Sequence, residues 1–174
     1  MDDFVLGGGC FWCLDAVYRQ LKGVTSVESG YAGGHTDSPS YYQVASGSTG
    51  HAEVVRVSFD AAIIPADIIL DAFFLSHDPT TPNRQGADIG TQYRSIMLYQ
   101  NSEQKDLFEA ALKRAQTRHD NPVVTEIVPL ATFYPAEPEH EDYYTKNPEA
   151  GYCQVVIEPK IIKARAALRQ WLKQ

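Results

Sequence analysis

Three consecutive glycines run directly into a cysteine, two large aromatics and a second cysteine: Gly7-Gly8-Gly9-Cys10-Phe11-Trp12-Cys13. Phe4-Val5-Leu6 before them is a short apolar run, as a buried strand is. After them Leu14, Val17, Tyr18 and Leu21 recur at helical spacing, with Asp15, Arg19 and Gln20 on the other side. The glycines therefore turn a strand into a helix, and the chain needs a fold in which a sheet and helices share a core. Cys10 falls at the helix start, where unpaired N–H groups and the helix dipole favour an anion. That position predicts a lowered thiol pKa and a nucleophilic thiolate. The glycines also predict an uncovered thiol that a second molecule can approach. A buried structural cysteine beside a glycine turn is the competing reading.

A length of 174 residues fits one domain over 1–174 with a sizeable core. The net charge of −7 argues against a nucleic-acid surface, and no apolar run approaches membrane-spanning length. Met1-Asp2-Asp3 is acidic where a secretory leader is basic. Three cysteines are an odd number in a chain too large to need staples. Together these point to a reducing, cytoplasmic setting and to cysteines that act chemically. A monomer without cofactor or metal is expected.

The alternation from His51 to Phe59 marks the clearest strand and puts Glu53, Val55, Val57 and Phe59 on one face. Strands are also predicted over 24–31, 93–99 and 123–130, and short helices over 41–45 and 139–146. Ala66 to Leu75 after Pro65 reads as a buried helix. Asn101 with Gln104 caps a helix running to about His119. Ser76 to Gly90 is a long polar loop, and loops of that length are often functional. Gly151 to Ile157 reads as a turn into a brief apolar stretch, with a last helix over 161–172. Alternating strands and helices give an α/β or α+β class with one mixed sheet.

Glu53 shares its face with apolar residues. Burial favours its neutral form and makes it a candidate general acid. A strand-end carboxylate that reaches solvent, or one paired with Arg56 or Arg94, competes with that reading. Tyr41, Tyr42 and Tyr93 lie in or beside loops, where a phenol can bond a polar oxygen or simply pack. Phe11 and Trp12 can wall an apolar pocket or plug the core. Cys10 and Cys13 form a Cys-x-x-Cys pair, a redox spacing, and Cys153 beside Gly151 reads as lying on a flexible loop. A zinc site lacks its second compact half. The five histidines show no ligand spacing and default to surface or hydrogen-bonded roles.

Gly9-Cys10-Phe11-Trp12-Cys13 resembles the signature of the A-type peptide methionine sulfoxide reductases. Gly30-Tyr31-Ala32-Gly33-Gly34, Gly50-His51-Ala52-Glu53, His77-Asp78-Pro79-Thr80, Gly90-Thr91-Gln92-Tyr93-Arg94-Ser95 and Glu137-Pro138-Glu139-His140 are similar to further blocks of that family. So are Tyr143-Tyr144 and Gly151-Tyr152-Cys153, and all follow in one collinear order. The resemblance implies a two-layer sandwich with a ferredoxin-like core, acting on the S epimer of methionine sulfoxide, free or in a peptide. Cys10 would attack the sulfoxide sulfur and Glu53 would protonate its oxygen. Tyr41 and Tyr93 would bond that oxygen. Phe11 and Trp12 would hold the substrate methyl, and Asp88 would support substrate or water. The resulting sulfenic acid would condense with a second thiol, and thioredoxin would reduce the disulfide. Family members differ in that second thiol. A loop at Cys153, and strain in closing Cys10–Cys13 across a helical turn, favour Cys153 over Cys13.

Overall fold

The structure, a computed structural model, describes residues 2–173. Strand β1 (Asp2–Gly7) lies between β3 (Ala52–Phe59) and β6 (Ile96–Tyr99) and is antiparallel to both. β2 (Val24–Ala32) pairs with β3, and β8 (Tyr134–Pro135) pairs with β2 at the sheet edge. β7 (Glu126–Pro129) runs parallel to β6 at the other edge. The sheet order is β7-β6-β1-β3-β2-β8, and the one parallel pair makes it mixed, as expected.

Alternation along the strands sorts side chains to two faces. Phe4, Leu6, Val55, Val57, Phe59 and Met97 point to one face. There they meet α1 (Phe11–Tyr18), α3 (Ala66–Leu75), α4 (Ser102–Gln116) and α6 (Glu158–Ala167). Val5, Ala32, Ala52, Val54, Ile96 and Leu98 form a thinner core on the other face, under Val128, Leu130 and Phe133. The helices thus make one layer and the sheet the second. Phe4 packs against Phe59 and Phe108 at ring distances of 5.0 and 5.2 Å. Full burial of each such ring stabilises the fold by roughly 1.5–3 kcal/mol. Among the described residues no helix is long and apolar enough to cross a membrane.

Three expectations change. Tyr93 closes a 3₁₀ turn (Thr91–Tyr93) and precedes the strand; its carbonyl accepts from the Gly9 N–H at 3.2 Å, so its backbone serves the glycine turn and not the sheet. The 76–90 loop carries a two-strand hairpin, β4 (Arg84–Gln85) and β5 (Asp88–Ile89), turning at Gly86 with φ of 58°. Residues 151 and 152 are helical, and Cys153–Ile157 form a π turn that runs into α6. Pro159 sits in the first turn of α6, where its missing N–H costs little. The buried stripe Cys153, Ile157, Ile161, Ala164 and Leu168 has helical spacing across it.

Candidate active site

The glycine run is required by what surrounds it. Gly9 has φ of 86°, a region L side chains rarely adopt. A Cβ at Gly7 would lie 2.7 Å from the Glu53 carbonyl oxygen. Cys10 is the N-cap residue of α1, extended at φ −65° and ψ 131°, and its side chain caps no N–H of the helix. Its sulfur is therefore free to face the site. The thiol is nevertheless buried, at 7% exposure, and not uncovered as the glycines predict.

Glu53 explains the difference. From β3 its Oε1 accepts the Phe11 N–H at 3.1 Å, so a carboxyl group occupies the helix start where a thiolate was expected. Arg56 pairs with Glu28, and Arg94 with Glu126 at 2.7 Å, so neither arginine neutralises Glu53. Burial pushes the Glu53 carboxyl up to about 8; the Phe11 N–H opposes this, Asp88 adds to it, and the Cys10 thiol offsets it by hydrogen bonding. Burial likewise pushes the Cys10 thiol well up, aided by Glu53 and Cys13, against the Trp12 N–H and the Tyr152 hydroxyl. The lowered Cys10 pKa expected from helix position is thus reversed: burial outweighs the helix terminus. Two anions sharing one dry pocket is the disfavoured state. At neutral pH the resting pair is a thiol beside a carboxylic acid.

The two tyrosines face this pair. Burial, then Glu53, pushes the Tyr41 phenol up to about 12 and raises that of Tyr93. Both stay protonated and can donate. Tyr41 opens α2 (Tyr41–Ala45), whose N-cap Ser40 accepts from the Gln43 N–H at 3.2 Å. Asp88 lies on the hairpin, and its Oδ2 accepts from the Tyr152 hydroxyl at 2.7 Å. Through that bond it reaches the site indirectly.

Phe11 is fully buried, its ring 5.7 Å from Tyr31 and 5.4 Å from His140. Trp12 is half-buried and stacks on Tyr143 of α5 (Tyr143–Lys146) at 3.7 Å and 7°. Its indole N–H donates to His140 Nδ1 at 3.2 Å, and Tyr152 meets it edge-on at 5.7 Å. Residues 137–152 thus form a strap beside the site. Glu137 anchors it, accepting from the Tyr31 hydroxyl and the Tyr41 N–H, each at 3.0 Å. Residue-level reading of the sequence assigned no role to Glu137, His140, Tyr143 or Tyr152.

Cys13 is fully buried one turn after Cys10, and its N–H donates to the Cys10 carbonyl at 3.0 Å. Burial raises its thiol, opposed by the Lys160 ammonium and by a hydrogen bond with Tyr152. Cys153 is also fully buried, and burial alone raises its thiol. It belongs to a π turn, so the flexible loop predicted around it is not present.

A sequence model of the family described as "Peptide methionine sulfoxide reductase" matches residues 2–172. The chain is 62% identical over 172 residues to "Peptide methionine sulfoxide reductase MsrA" of Arthrobacter sp. (strain FB24), covering 99% of each. Among solved structures it is similar to reduced Mxr1 from Saccharomyces cerevisiae, with a TM-score of 0.83 and 36% identity, over 87% of this chain and 88% of that one. It is also similar to methionine sulfoxide reductase A of Corynebacterium diphtheriae, with a TM-score of 0.77 and 32% identity, over 86% of this chain and 76% of that one.

Proposed function

Because the chain belongs to the A-type peptide methionine sulfoxide reductase family, we propose that it reduces the S epimer of methionine sulfoxide, free or within oxidised proteins, with Cys10 as nucleophile and Glu53 as acid. The observation that carries this reading is the buried Glu53 carboxyl at the start of α1, its Oε1 on the Phe11 N–H at 3.1 Å beside Cys10; burial pushes it up to about 8. A sulfoxide is a strong acceptor with a poor oxygen leaving group. A neutral acid held away from water makes its sulfur electrophilic as the S–O bond weakens.

The sulfoxide oxygen accepts from Glu53 and from the Tyr41 and Tyr93 hydroxyls. Cys10 sulfur then attacks the substrate sulfur. Oxygen leaves the substrate, which gains two electrons as a thioether, and ends on Cys10 as a sulfenic acid; the thiol proton ends on that oxygen. Trp12 and its aromatic neighbours hold the substrate methyl, with Phe11 behind them. Asp88 acts through Tyr152. A second thiol, Cys153 or Cys13, closes a disulfide with Cys10, which a dithiol protein such as thioredoxin reduces by exchange. A monomer in a reducing cytoplasm completes the reading.

The test is turnover of separated S and R epimers of an N-blocked methionine sulfoxide, with dithiothreitol or a thioredoxin system. The S epimer is expected to be consumed and the R epimer left, and Cys10→Ser is expected to abolish the reaction. Turnover of neither epimer, or a wild-type rate in Cys10→Ser, overturns the proposal.

A further inference from the structure

Trp12, Asp15 and Arg19 recur at spacings of three and four, which puts them on one face of α1 and its C-cap. The strap runs along that face. Tyr143 stacks on Trp12 at 3.7 Å, and its chain neighbour Asp142 reaches Arg19 Nε at 3.4 Å. Glu141, one residue earlier, accepts the Ser29 N–H of β2 at 2.8 Å. Arg19 Nε also donates to Asp15 Oδ1 at 2.7 Å, and Arg19 Nη2 donates to the Val27 carbonyl at 3.0 Å. One guanidinium thus joins α1, β2 and the strap. Asp142 sits at φ of 52°, a left-handed conformation that L residues adopt at a cost, so its place depends on the contacts around it.

Asp15 is the fully buried member of this group, and its Oδ2 has no hydrogen-bond partner. A buried carboxyl with one bare oxygen is costly as an anion. Burial pushes it up to about 7 against the pull of Arg19, and Asp142 and Glu141 of the strap push the same way. Other charges near α1 are engaged elsewhere. Glu28 of β2 pairs with Arg56, Asp71 of α3 with Arg114, and Arg165 of α6 donates to Gln20. Lys160 of α6 lines a cleft with His77, Glu53 of β3 lies on the Phe11 N–H, and Lys146 of α5 faces Glu141 and donates to the Pro138 carbonyl. Arg19 belongs to α1 and faces Asp15 whether or not the strap is in place. Asp142 and Glu141 face it only when the strap is docked.

We propose that Asp15 and Arg19 form a proton-operated latch on the strap: with Asp15 neutral, Arg19 holds Asp142 and so keeps Tyr143 on Trp12, and with Asp15 ionised the strap loosens. Two effects give this sign. The strap's carboxylates disfavour an ionised Asp15, so by reciprocity loss of the Asp15 proton disfavours the docked strap. An ionised Asp15 also competes with Asp142 for the same Arg19 Nε. Docking is therefore firm below about 7 and weakens as pH rises through that value. Asp15 and Arg19 are positioning residues, since they act on the site through Asp142 and Tyr143. The latch works on the wall of the site whatever reaction runs inside it.

Trp12 fluorescence tests this. The chain has two tryptophans, so Trp171→Phe leaves Trp12 as the sole reporter of Tyr143 stacking. Titrated through neutral pH, that protein is expected to show an emission change with a midpoint of about 7. Asp15→Asn in the same background is expected to abolish the change and hold the emission at its acid-side value. Asp142→Asn, on a part-exposed side chain, is expected to move the midpoint downward, since it removes a strap anion that favours neutral Asp15. In a second arm, KM for the S epimer of methionine sulfoxide is expected to rise through the same pH range in the wild type and to stay at its acid-side value in Asp15→Asn. That arm rests on the proposed reaction and the fluorescence arm does not, so the two readings fail separately. No emission change near neutral pH, a change unmoved in Asp15→Asn, or a wild-type midpoint in Asp142→Asn overturns the proposal.

Discussion

Cys10 and Glu53 define each other. Each is buried, Glu53 raises the Cys10 thiol, and loss of both protons would leave two anions side by side. The carboxyl is neutral below about 8, so its acid form is present at neutral pH and lost as pH rises through that value. Glu53→Gln is expected to lower the single-turnover rate of sulfoxide reduction by about 10²–10⁴, the usual contribution of a positioned acid. The alkaline fall of the wild-type pH–rate profile should vanish with it. A fall that persists in the Gln variant would have to belong to another group.

The strap from Glu137 to Tyr152 is the element that completes the site. It brings His140, Tyr143 and Tyr152 onto Trp12, and Glu137 ties it to Tyr31 and to the start of α2. Glu137→Ala removes two bonds to a charged acceptor, worth about 1–3 kcal/mol. The expected outcome is a KM raised roughly tenfold, with kcat less affected, since about 1.4 kcal/mol corresponds to tenfold. Limited proteolysis within 141–150 should accelerate in parallel. Unchanged KM and cleavage would mean the strap is held elsewhere.

At the scale of the whole molecule, burial of carboxyls makes stability depend on pH. Asp15 is buried in α1, with Arg19 at 2.7 Å on one oxygen and no partner on the other. Burial, against Arg19, pushes it from 3.8 to about 7. Glu53 moves from 4.5 to about 8. Both are raised acids, so the folded state binds more protons than the unfolded one between those values. Stability is therefore expected to fall as pH rises from about 4 to about 8, by on the order of a few kcal/mol in all. Urea midpoints across that range read the slope, and Asp15→Asn and Glu53→Gln should each remove part of it. A flat wild-type profile would contradict the assigned protonation states.

Patterns within one turn or one strand were legible in the sequence. They include the helix start at Cys10, the alternation that turns Glu53 inward, Pro65 before α3 and the Asn101 cap of α4. The collinear motifs extended that to the family and to the residues about the sulfur. The neutral form of Glu53 was legible from its inward face; the protonated state of Cys10 was not. The Phe11–Glu53 bond spans 42 positions and the Trp12–His140 bond 128, and spacing carries no trace of either. Cys153 read as mobile because Gly151 lies beside it, whereas a stripe packed under α1 makes the segment helical. Helix position and the glycine run predicted an ionised, uncovered Cys10. Only the tertiary structure decided that it rests protonated and buried beside a carboxylic acid, because a pKa answers to every group and every absent water around the atom, not to its neighbours along the chain.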